Sequence, residues 1–345
     1  MKLLRGGILL LVGILFLSTG FIDQAEAQTR REAVQAFNKG IDLANQGNYD
    51  QAISAYMQVI SISDKIGEDA NDIKEKAESK IPQVYLQKAV SAYKDFQKSQ
   101  SIERLDVAIQ AFQETQDVAE EYGEEQIGSK AERIVPQLYY SKSIYQFKTK
   151  KYAEALETLD LALEKNKDYS KAYYQKGLVL KNMSDDSLLV ALDQFDKAIQ
   201  IAQKNNNQQM VSQAKEAAKS NLVYRGAQAI SDEDYNKAVD LLQRALNYDS
   251  QSEDAHYRLA EAYNKLKQWN KALDHADKGL KFEKGGRTEK AKIYFEKAVA
   301  LKNIGNKEAA CSAFDSASYG SFKAPAEHQM KYDLKCPQMS SKASN

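Results

Sequence analysis

Few side chains in this sequence belong to the types that carry out chemistry. There are three histidines, His256, His275 and His328, and two cysteines, Cys311 and Cys336. A transition-metal site needs three or four imidazole, thiolate or carboxylate ligands at short, recurring spacings. The histidines have no such spacing to one another or to a cysteine, so no metal site is expected. No nucleophile elbow, phosphate loop, zincin helix or dinucleotide fingerprint occurs. Gly285-Gly286 has no phosphate-loop context, and adjacent acids such as Asp185-Asp186 and Glu124-Glu125 match solvated helix faces and turns. Asn182-Met183-Ser184 fits a glycosylation sequon, but a chain this rich in Asn produces one such match by accident. With no activated nucleophile, base or cofactor site, the expectation is a protein that is not an enzyme and takes no cofactor.

The elements around these residues are announced from the N-terminus onward. Lys2 and Arg5 precede an apolar run from Ile8 to Leu17, and Ala25-Glu26-Ala27 supplies a small-x-small cleavage pattern. These are the three parts of a secretory signal in their proper order. Residues 1–27 are therefore expected to be a signal peptide, with Gln28 the new N-terminus. The apolar run is shorter than the roughly 20 residues a spanning helix needs, and no second run of that length follows. The expected product is exported, periplasmic or extracellular, and soluble, with no membrane span after cleavage. Basic and acidic residues balance at 48 each. Interspersed neutral charge of this kind leaves no footprint for nucleic acid. Four prolines and an abundance of Ala, Leu, Lys, Glu and Gln predict helix almost throughout.

A recurring pattern organises those helices. A small residue is followed twelve places on by Ala, then after four by a bulky residue and after three by another small one. It occurs as Gly40, Ala52, Tyr56, Val59; as Ser143, Ala155, Leu159, Ala162; and as Gly226, Ala238, Leu242, Ala245. It returns as Ala260, Ala272, Ala276, Gly279 and as Ala298, Ala310, Phe314, Ala317. Two copies carry insertions in the first interval, Ala89 to Ala108 with Phe112 and Thr115, and Gly177 to Ala191 with Phe195 and Ala198. Small residues on two antiparallel helices let the backbones approach, and the bulky residue fills the space beside them. Short turns such as Gln46-Gly47-Asn48 separate the pair, and an aromatic (Tyr49, Tyr152, Tyr235, Trp269) opens the second helix.

In spacing and residue type this pattern resembles the tetratricopeptide repeat from about Ala33 to Ala317. Repeats start near 33, 82, 136, 170, 219, 253 and 291, and two of the steps match the family's period of about 34 residues. The resemblance implies an all-α, right-handed α-solenoid of about seven helix-turn-helix units over residues 28–323. The intervals after the first, second and fourth repeats run long. Apolar residues at 70, 73, 77, 81, 85, 89 and 92 keep one face through Pro82. This predicts a long helix from about Glu68 to Phe96, kinked at Pro82, with a counterpart at Pro136. The other possibility is a break, each proline opening a new helix. Residues 324–336 read as a capping helix, because the last repeat's apolar face has no neighbour, and 337–345 as a flexible tail.

In the family, the first helix of each repeat lines a groove that takes a protein or peptide. The groove places fall here on Phe37, Ile41, Leu86, Val90, Tyr93, Tyr140, Ile144, Phe147, Tyr174, Tyr257 and Phe295. The Lys and Asn with which one subclass clamps a C-terminal carboxylate are missing from every repeat, so that partner class is excluded. Tyr140 and Tyr174 are expected on the groove, with packing left to Tyr139 and Tyr173. The resulting expectation is a scaffold binding a protein or peptide segment. A carbohydrate-associated envelope protein, stacking tyrosines on sugar rings, is the alternative. Finally, Cys311 falls in the second helix of the last repeat and Cys336 at the end of the cap. In an oxidising compartment the two can pair as a disulfide, or remain two separate buried thiols.

Overall fold

The computed structural model describes residues 29–184 and 187–337. The expected signal peptide, Gln28, and residues 338–345 of the expected tail lie outside them. Among the described residues every regular element is helical: α1 (29–45), α2 (Tyr49–Ile66), α3 (Asn71–Ser99), α4 (Ile102–Glu121), α5 (Glu125–Lys148) and α6 (Tyr152–Lys165). These are followed by α7 (Ser170–Met183), α8 (Leu188–Lys204), α9 (Gln208–Ser231), α10 (Tyr235–Tyr248) and α11 (Glu253–Lys265). The last are α12 (Trp269–Phe282), α13 (Arg287–Ile304), α14 (Lys307–Ala317) and the short α15 (Lys323–His328). The fold is an all-α solenoid of paired helices. The chain divides into two compact units, one ending at Tyr169 and the other beginning at Ser170.

The repeating residues do the same work in each pair. The seven alanines of the pattern, Ala52, Ala108, Ala155, Ala191, Ala238, Ala272 and Ala310, are completely buried. Gly177 on α7 faces the Phe195 ring on α8 so closely that a Cβ would stand 2.6 Å from it, and at Gly226 the equivalent distance to Leu242 is also 2.6 Å. The bulky residue therefore occupies the volume a side chain on the first helix would need.

Five of the turns within pairs share one backbone device. A single residue takes a positive φ, at Gly47, Lys150, Glu233, Lys267 or Gly305, and the next amide reaches back five residues. Examples are Asn48 N–H to the Leu43 carbonyl at 2.9 Å and Gln268 N–H to that of Tyr263 at 2.9 Å. This closes the orphan carbonyls of the first helix. The second helix then starts at once, capped in places by a side chain, as Asp234 accepts from the Lys237 amide and Asn306 from that of Ala309.

Both prolines lie inside continuous helices, Pro82 in α3 and Pro136 in α5, so the helix break does not occur. Each ring is buried, as are Ile73, Ala77, Ile81 and Ala89 along the same face of α3. Proline removes one helical hydrogen bond, but here the apolar stripe runs straight through it. The third long interval forms α9, which needs no proline. The C-terminal cap is less regular than expected: a 3-10 turn (Gly320–Phe322), α15, and a wider π turn (Gln329–Asp333). Ala326 is fully buried, and Met330 and Leu334 pack on the core of α13 and α14. Cys311 and Cys336 are bonded, with Cα atoms 5.9 Å apart.

Candidate functional site

The first helices of the repeats in the first unit are α1, α3 and α5. Their pattern places an apolar stripe one or two positions away from the stripe that meets the second helix, so it lands half-buried. Phe37 and Ile41 on α1 lean on the core of the first pair, and the Phe37 ring meets Tyr56 edge-on at 5.5 Å. On α3, Leu86 and Val90 come together on the wall of an open cavity of about 300 Å³, also lined by Tyr49, Gln87, Ser91 and Lys94. Lys94 is exposed at its rim, whereas neighbouring Lys88 is held by Asp50 at 2.6 Å. The Tyr93 ring lies 6.0 Å from Phe96. Tyr140 on α5 is half-buried, its ring 5.6 Å from that of Tyr169, and Phe147 stands 5.8 Å from Tyr152. Tyr139 is buried and its hydroxyl accepts from Gln113 at 3.0 Å.

The second unit carries its first helices as α7, α9, α11 and α13. Tyr174 and Tyr173 are both half-buried against one cluster, so packing is not divided between them as expected. The Tyr174 ring lies 5.9 Å from Phe195, and burial raises its hydroxyl pKa. Tyr257 is only 7% exposed, with the Arg258 guanidinium 4.8 Å and the Lys292 ammonium 5.1 Å from its ring centre. It is a structural part of the surface rather than an open contact. Phe295 is likewise engaged, 5.4 Å from both Phe314 and Phe322. A second cavity, of about 440 Å³, opens between α9 and α11. Glu216, Lys219, Ser220, Asp254 and Arg258 line it, Val223 and Ala227 contribute apolar surface, and the Tyr224 ring is 59% exposed at its edge. Most of its charges are paired: Lys219 with Glu216 at 2.7 Å inside it, and Asp254 with Lys292 at 2.6 Å and Arg258 with Glu261 at 2.7 Å, both partners lying outside the lining.

Two polar arrangements were not legible in the sequence. Asn264 of α11 donates to the backbone carbonyl and to the carboxylate of Glu296 on α13, at 2.9 and 2.8 Å. Burial pushes the Glu296 carboxyl up to about 7, against the smaller opposing effect of the Asn264 hydrogen bond. His256 is buried, and its Nδ1 lies 2.9 Å from the Nδ1 of His275. Among the described residues no group of three His, Cys, Asp or Glu side chains is arranged to hold a metal. No helix among them is long and apolar enough to cross a membrane.

Comparison with known proteins agrees with this architecture. Models of the tetratricopeptide repeat match residues 229–285 and residues 37–66 and 276–304. No curated protein matches the chain. Among solved structures, it is similar to YrrB, described as a TPR protein with an unusual peptide-binding site, at 19% identity and a TM-score of 0.36. That match covers 56% of this chain and 91% of the other. It is also similar to MamA, at 16% identity and a TM-score of 0.37 over 58% and 96% of the two chains. A MamA fragment from Desulfovibrio magneticus RS-1 matches at 21% identity and a TM-score of 0.34, over 53% and 92%. With two helices in each repeat, a fully buried alanine in every pair and family matches in both units, the chain carries tetratricopeptide repeats, matched at residues 37–66 and 229–304.

Proposed function

We propose that this protein is a non-catalytic scaffold, exported to the cell envelope or beyond, that binds a protein or peptide segment along the first helices of its first unit. The observation that carries this reading is the cavity at Leu86 and Val90. It has an apolar wall, an ammonium at its rim and room for one large side chain. Phe37, Ile41, Tyr93, Tyr140, Ile144 and Phe147, each half-buried on α1, α3 or α5, are the other expected groove residues of this unit. Extended or helical segments dock on such surfaces through a few side-chain anchors. Export rests on the N-terminal pattern of the sequence.

The test is selection of binding peptides from a random-sequence display library on the full chain, repeated on the Val90→Asp variant. The reading expects peptides with a recurring apolar anchor that bind the wild type at least tenfold more tightly. Peptides that bind both proteins equally would overturn it. A carbohydrate reading is favoured by one observation of its own, the exposed Tyr224 ring beside the polar cavity of the second unit, since aromatic faces stack on sugar rings. A glycan array with wild type and Tyr224→Ala distinguishes it: glycan binding lost in the variant supports it, and an array without signal removes it.

A further inference from the structure

The two buried histidines of the sixth repeat form a hydrogen bond that specifies its own protonation state. The Nε2 of His256 lies 3.3 Å from the Ser250 carbonyl oxygen. That oxygen can only accept, so Nε2 carries the hydrogen. In a neutral imidazole the other nitrogen is then bare. His256 Nδ1 is thus the acceptor in the 2.9 Å contact, and His275 Nδ1–H is the donor. The bond ties α11 to α12, and the rings are held by stacking, His256 on Phe282 at 5.8 Å and His275 on Tyr263 at 5.5 Å.

We propose that the His256–His275 pair is a proton-operated latch that closes the α11–α12 hairpin when neutral and opens it in acid. A first proton can enter at His275 Nε2 without disturbing the bond. A second must go to His256 Nδ1, which sets two N–H groups face to face at a distance where only one hydrogen fits. The charged neighbours do not relieve this. Asp274 on α12 and Asp249 before α11 attract the cation, while Lys278 on α12 opposes it. The Tyr263 hydroxyl accepts from Gln243 of α10, and α13 brings apolar Ile293 against Gly279, whose other neighbour is the His256 Cβ. Burial accordingly holds both imidazoles below their ordinary range, His275 at about 4.

The sign follows from proton linkage. A histidine released by opening titrates near 6.5, so opening takes up protons as pH falls from about 6.5 toward 4. For His275 alone the opening constant rises about tenfold for each pH unit in that window. Because α11 also carries Tyr257, Arg258 and Asn264, the latch would make the first-helix surface of the second unit sensitive to acidity.

The experiment uses the full chain, labelled with ¹⁵N. Long-range histidine spectra at pH 7 are expected to find His256 protonated on Nε2 and His275 on Nδ1, with His275 neutral to below pH 5 and His256 titrating below its ordinary range. Amide exchange in residues 253–282, corrected for its intrinsic pH dependence, is expected to accelerate between pH 6.5 and 4.5 more than exchange in α9 and α10. The His275→Asn variant keeps a donor but takes no proton, so its acceleration is expected to be about tenfold smaller per pH unit. Either ring titrating near 6.5, the opposite tautomers, or exchange without the extra acid acceleration would overturn the latch. The wild-type spectra and exchange decide the question by themselves should the variant not fold.

Discussion

Adding one methyl group at Gly177 tests whether close approach of paired helices sets the fold. A Cβ there would lie 2.6, 2.7 and 3.0 Å from three atoms of the Phe195 ring. Carbon atoms prefer about 3.5–4.0 Å, so the methyl intrudes by about 1 Å into a ring that is completely buried. Overpacking of this kind costs about 1–3 kcal/mol. Alanine is the better helix former by about 0.5–1 kcal/mol, which offsets part of it. Other pairs place alanine at the same point opposite a phenylalanine, Ala89 with Phe112 and Ala298 with Phe314, so the pair has some freedom to adjust. The expected result for Gly177→Ala is a loss of about 1–2 kcal/mol, toward the low end of the overpacking range. Gly128, on α5, is the control, since a Cβ there meets only the Ala119 Cβ at an ordinary 3.4 Å. Gly128→Ala should gain about 0.5 kcal/mol from helix propensity alone. Urea denaturation measures both, with fluorescence of Trp269, the single tryptophan, reporting the second unit and circular dichroism the whole chain. If Gly177→Ala proved as stable as the wild type or more so, the close-approach argument would fail.

Glu296→Gln keeps an acceptor for Asn264 and removes the ionisable group. The native carboxyl titrates near 7 and the unfolded one lower, so the wild type loses stability as pH rises from about 4.5 through 7. The variant should therefore melt higher than wild type at pH 8 and about equally at pH 5; an equal gap at both would contradict this. Serine at both Cys311 and Cys336 should speed amide exchange in residues 319–334, because the bond closes a loop of 25 residues and contributes on the order of 3 kcal/mol to the cap. Labelling of the denatured, unreduced wild type should find no free thiol, and two free thiols would remove the bridge. Mass spectrometry of exported protein should find Gln28, open or cyclised, as the first residue; a chain beginning at Met1 in the membrane fraction would contradict cleavage.

The fold was legible because its signal is periodic and chemically strict. Alanine at Ala52, Ala155 or Ala310 is required by helix contact, and each is fully buried. The apolar face of α3 was readable through Pro82 for the same reason. The cap was read less well, since the π turn at Gln329–Asp333 depends on how Met330 and Leu334 reach the core. Side-chain roles on the first helices were only partly readable. Groove and packing positions lie one residue apart, and both Tyr173 and Tyr174 end half-buried on the same cluster. The polar pairs were invisible for a different reason. His256 and His275 meet across a hairpin at a spacing that matches no motif. Glu296 occupies a place where other repeats carry Asn38, Gln87, Ser141 or Gln175, so a polar residue there gave no sign of burial.

Binding of partners on the first helices of the first unit is tested most directly by methyl spectra of the full chain titrated with a peptide selected on it. Shifts are expected at Leu86, Val90 and Ile144, with little change at Ile53, Val107 and Leu161 on α2, α4 and α6. Shifts confined to those second-helix methyls would contradict it.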